Sequence, residues 1–114
     1  MRFLLLIHGD EKAEAALSGD ERRAIVEQHM AFAGSLREQG KLLLGEALLG
    51  SDASAIVRPG RTPLVTDGPF SETKEIVGGF YVVECESQDE AVELATKVPE
   101  SPGAAVEVRQ IAEL

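Results

Sequence analysis

At 114 residues, with 44% hydrophobic and 27% charged side chains, the chain suits one globular domain, residues 1–114, built on a single core. Twenty acidic against eleven basic residues give a net charge of −9, which repels a phosphate backbone, so direct nucleic-acid binding is not expected. No run of about 20 apolar residues exists to cross a bilayer, and the single cysteine, Cys85, permits no internal disulfide; both point to a cytoplasmic protein away from membranes.

The opening Met1-Arg2-Phe3-Leu4-Leu5-Leu6-Ile7 has the charge and apolarity of a short leader, but its apolar run is strand-sized and His8-Gly9-Asp10 follows in place of a cleavage site. Residues 2–8 are therefore the first predicted strand. Ser18-Gly19-Asp20-Glu21 reads as a capping box opening a helix that Gly40 stops, and Ile25, His29, Phe32, Ala33 and Leu36 form its inward stripe. Residues 42–49 predict a strand, with or without a bulge, and residues 55–58 a shorter one ended by Pro59-Gly60. Extended chain resumes at 62–66, ahead of a polar loop, and residues 79–86 return as a strand rich in β-branched and aromatic residues. A second capping box at Ser87 to Glu90 opens a helix lined by Ala91, Leu94, Ala95 and Val98 that Pro99 ends; residues 104–111 are the last strand.

This order is the split pattern of a ferredoxin-like βαββαβ fold: an α+β domain in which both helices cover one face of an antiparallel sheet. In the first strand Phe3, Leu5 and Ile7 point one way, while Leu4, Leu6 and His8 point the other, so both faces are apolar. The face away from the helices needs a cover, and a second copy of the chain supplies one; a homodimer is expected, with a partly enclosed cleft for a small-molecule ligand.

Residues 64–80 set a turn, several ionisable and hydroxyl side chains and a Gly pair between two apolar runs, and within them Asp67-Gly68-Pro69-Phe70 resembles the signature of the DGPF branch of the YCII-related family. The resemblance extends from the first strand to Val106-Glu107-Val108-Arg109. It implies a dimeric α/β barrel. It also implies an active site centred on the helix histidine, here His29, paired with an aspartate, and a kinship with small dehydrohalogenases and lactone isomerases. DGPF domains also occur beside, or fused to, extracytoplasmic-function sigma factors, which implies a possible functional link to a sigma factor and a non-catalytic regulatory role as the competing reading.

Read as chemistry, His29 is either a satisfied core histidine or a general acid–base, its ordinary pKa suiting the second role without tuning. Asp67 is the first candidate to orient it, although Asp before Gly-Pro also forms turns well. Shorter family members carry their aspartate between the helix and the following strand, where residues 41–45 offer no acid, so Glu46 is the other candidate. Lys74 and Glu75 form a cation–carboxylate pair beside the Gly78-Gly79 hinge, poised over a ligand or simply solvated. Glu107 and Arg109 share one face of the last strand, either for a polar substrate or as an ion pair. Cysteine pairs, spaced histidines, glycine-rich phosphate loops and Gly-x-Ser-x-Gly are missing, so neither metal nor cofactor is expected. The expected activity is a cofactor-independent elimination, isomerisation or hydrolysis.

Overall fold

Six strands and three α-helices, with a single 3-10 turn at Ser51–Ala53, follow one another among the described residues of a computed structural model that describes residues 1–69 and 75–114, with Glu75 by its backbone alone. They are β1 (Arg2–Asp10), α1 (Glu11–Ala15), α2 (Gly19–Glu38), β2 (Leu42–Ala47), β3 (Ala55–Arg58), β4 (Leu64–Asp67), β5 (Glu75–Glu84), α3 (Gln88–Ala95) and β6 (Ala105–Gln110). Four strands make one antiparallel sheet in the order β2-β5-β1-β6, and β3 and β4 pair with each other as a separate two-stranded sheet. The strand expected at residues 55–58 thus forms, but outside the main sheet.

Local chemistry sets the helix bounds. At the start of α2 the Glu21 N–H donates to Ser18 Oγ at 3.1 Å and the Ser18 N–H to Glu21 Oε1 at 3.0 Å, so two end donors are satisfied reciprocally. The helix closes at Gln39, and Gly40 takes a φ of 70°, a left-handed conformation that a side chain would oppose. At α3 only half of the expected box forms. The Glu90 N–H donates to Ser87 Oγ at 3.2 Å, but the Glu90 carboxylate is drawn away to Lys41 Nζ at 2.9 Å and to the Glu86 N–H at 2.8 Å.

The core lies between the helices and one side of the main sheet. Phe3, Leu5, Tyr81 and Val83 from the strands, with Cys85 just past β5, meet Leu36 from α2 with Ala91 and Leu94 from α3, all buried. Register explains the grouping, since Phe3 is opposite Val83 and Leu5 opposite Tyr81, and cross-strand partners share a face. The alternate residues Leu4, Leu6, Phe80 and Val82 fall on the reverse face, where they are only half-buried. The chain is a slab of 45 × 43 × 18 Å.

Three features depart from expectation. Asp10 caps a short helix, α1, by accepting from the Ala13 N–H at 3.0 Å, and one turn is too brief for a periodic signal. Strand β5 begins at Glu75, and Gly79 is buried opposite both Ile7 and Ala47, so the Gly78-Gly79 pair belongs to a strand interior and is no hinge. A Cβ on Gly79 would sit 2.8 Å from the Glu46 carbonyl oxygen, so the glycine lets the neighbouring strand approach. No helix among the described residues is long and apolar enough to cross a membrane.

Candidate functional site

The inward stripe of α2 carries His29 onto the sheet, and Tyr81 of β5 receives it. His29 Nδ1 lies 2.8 Å from the Tyr81 hydroxyl, a hydrogen bond between side chains 52 positions apart. The two rings stack with centroids 6.0 Å apart and planes 19° from parallel, and Phe32, one turn beyond His29, meets the tyrosine edge-on at 5.2 Å. Gly45 of β2 stands opposite Tyr81 in register; a Cβ there would lie 2.6 Å from Tyr81 Cδ1. A ring-sized space is therefore built into the sheet by a missing side chain.

Burial holds the His29 imidazole below its usual pKa of 6.5, so the neutral ring is favoured at pH 7. The same desolvation pushes Tyr81 above 10.0 and keeps it a phenol. A neutral imidazole and a phenol can close their bond two ways. Either the phenol donates to Nδ1 and Nε2 carries the proton, or Nδ1–H donates to the phenol oxygen and the Nε2 lone pair is left open. Among the described residues Nε2 has no partner, and no buried side-chain nitrogen or oxygen is without one, so Nε2 reaches the accessible surface.

The other expected site residues are distributed elsewhere. Asp67 ends β4 opposite Ala55, exposed on the separate two-stranded sheet, and shares no hydrogen bond or ion pair with His29. Glu46 is opposite Phe80, which puts it on the sheet face away from His29. Glu107 and Arg109, opposite Leu6 and Leu4, project from that same reverse face; they pair with each other, and His8 Nε2 approaches Glu107 at 3.6 Å. Lys74 and the Glu75 side chain lie outside the described residues. The main sheet thus separates the histidine from Glu46, while Asp67 lies on a different sheet.

Tyr81 is the residue that sequence reasoning missed. It is the chain's only tyrosine, set in a strand of apolar neighbours, and a buried phenol needs a polar partner. That requirement, matched against the one histidine on an inward helical stripe, was the available signal. A shallow groove of about 630 Å³ follows the first turns of α2, lined by Glu21 and Ile25 on one side and by Glu100, Ser101 and Pro102 on the other; neither His29 nor Tyr81 lines it. Ile25 precedes His29 by four residues, about 6 Å of helical rise. Among the described residues no cluster of His, Cys, Asp and Glu converges on a point that a metal ion could occupy.

An open antiparallel sheet with helices over one face, joined to it by a histidine–tyrosine bond, defines an α+β protein with a polar pair at the helix–sheet boundary. The chain belongs to the YCII-related family, whose domain matches it over residues 1–114. It is also 37% identical over 97 residues, 83% of this chain and 77% of the relative, to the uncharacterized protein R00369 of Rhizobium meliloti strain 1021.

Proposed function

We propose that this YCII-related protein performs cofactor-independent acid–base chemistry on a small metabolite, with His29 moving the proton and Tyr81, in place of a carboxylate, orienting it. The observation that carries this reading is the 2.8 Å contact between His29 Nδ1 and the Tyr81 hydroxyl, which leaves Nε2 as the outward nitrogen. Nδ1–H donates to the phenol oxygen, and the Nε2 lone pair accepts a proton from the ligand. A histidine kept neutral by burial is ready as a base at pH 7. The net charge of −9 favours a neutral or cationic ligand over an anion.

In this reading the subunit is ferredoxin-like, as the order β2-β5-β1-β6 supports, and belongs to the DGPF branch through Asp67-Gly68-Pro69-Phe70. Two copies pair through their bare sheet faces into an α/β barrel, with Glu46, Glu107 and Arg109 serving the contact between copies. Elimination, isomerisation and hydrolysis all fit one mobile proton.

Thermal-shift screening against a metabolite library tests the site. A ligand at about 100 times its Kd adds roughly 2.7 kcal/mol to the wild type. That gain disappears in His29→Ala, while Tyr81→Phe retains binding and loses turnover of the same compound. Hits that stabilise His29→Ala as much as the wild type would remove His29 from the site.

A further inference from the structure

The β3–β4 hairpin has no evident role within its own subunit. Ile56 is the one residue of these two strands that is not exposed, and a lone two-stranded hairpin is marginal in water. Its side chains are nonetheless apolar: Val57, Leu64 and Val65 are 57%, 54% and 63% exposed. Val57 and Val65 are opposite each other in register and so share one side of the hairpin. The chain leading to it, from edge strand β2 onward, exposes Leu43, Leu44, Leu48 and Leu49. Exposed apolar side chains thus occur both along the edge of the main sheet and on the hairpin.

We propose that the hairpin is an arm that packs against a second copy of this chain, extending the contact made by the bare sheet face; the proposal rests on the reading that two copies meet through that face. Area argues for a large partner. The subunit exposes 8018 Å², whereas a folded monomer of 12.2 kDa exposes about 6,100 Å². The excess, roughly 1,900 Å², is more than the about 800 Å² that each side contributes to a standard interface. The radius of gyration agrees, at 15.7 Å against about 13 Å for a compact domain of this length.

Charge argues that the partner is the same chain. On the bare face Arg2 and Arg109 stand among Glu46, Glu84 and Glu107, close to balance in a protein of net charge −9. Glu84 is held by the amino group of Met1 at 2.8 Å, and Glu107 by Arg109. A nearly neutral apolar face can meet its own image, with the bulk of the acidic charge directed elsewhere; a basic partner would find little there to select.

Sedimentation equilibrium across a concentration series tests the arm on the wild type, the double variant Val57→Lys/Val65→Lys and the sheet-face variant Leu6→Lys. The wild type is expected to be dimeric, the double variant to dissociate at least tenfold more readily, and Leu6→Lys to be monomeric. Because the substituted hairpin residues are exposed, far-UV circular dichroism of the double variant should match the wild type. Amide exchange gives a second readout, slowing across residues 55–67 as wild-type concentration rises. If Leu6→Lys dissociates while the double variant keeps its Kd within twofold and exchange is independent of concentration, the arm is refuted and the sheet-face dimer stands. A wild type that is monomeric at tens of micromolar, or a Leu6→Lys variant that stays dimeric, refutes the sheet-face reading itself and the arm with it.

Discussion

Along β1 neighbouring residues of equal apolarity meet opposite fates. Phe3 and Leu5 are 0% exposed beneath the helices, whereas Leu4 and Leu6, one residue out of phase, stay half-buried on the reverse. Nothing in the side chains separates the two rows. What differs is the supply of partners, because Leu36, Ala91 and Leu94 reach only one side of the sheet. Burial is a property of the whole chain's layout, and a leucine gains its roughly 1.5–3 kcal/mol of hydrophobic stabilisation only where another element arrives to cover it.

The contrast is most directly broken by truncating the two rows in turn. Leu5→Ala should lower stability by about 2–5 kcal/mol, read as a fall in the urea midpoint with an unchanged slope. Leu6→Ala, at the lowest concentration the signal allows, should cost less than about 1 kcal/mol. Equal losses at the two positions would erase the distinction between the faces.

A smaller effect is expected from filling the notch that admits the tyrosine. Gly45→Ala puts a methyl group 2.6 Å from Tyr81 Cδ1, an overpacking that costs about 1–3 kcal/mol and should displace the ring from His29. Shifted Tyr81 and Phe32 proton resonances would register the movement. An unchanged spectrum and midpoint would mean that the notch is slack.

The smallest expected effect is on pH dependence. The His29 pKa is lower in the folded state than its usual 6.5, so on acidification the unfolded chain takes up the proton first and folding loses stability. The loss should begin as pH drops through about 6.5 and level off once the folded imidazole is itself protonated. Stability curves of the wild type and His29→Gln should therefore converge in acid and separate toward neutrality. Parallel curves would place the imidazole in water.

Periodicity made most of this architecture legible before any coordinates. The inward rows of β1 and α2 and the cap at Ser18 were all readable, because each is a local rule written in adjacent residues. Pairing was less so. Residues 55–58 have the composition of a strand and form one, but which strand they join depends on the turn at residues 59–63 and not on their own pattern. Likewise Gly78-Gly79 looks flexible in sequence and is fixed in space, since its meaning depends on how closely the Glu46 carbonyl approaches. The site was half legible. Helical spacing turned His29 inward, as it lies; a carboxylate was the expected neighbour, and the sheet register delivers a phenol.

Cys85, 4% exposed at the end of the core, has a thiol that burial pushes above its ordinary pKa, and its N–H donates to the Met1 carbonyl at 2.8 Å. The sulfur is therefore inert while the core around it is closed and becomes reactive when that end of the core opens. A thiol-reactive dye added to the unaltered protein would time this opening, so the molecule carries its own clock for local unfolding.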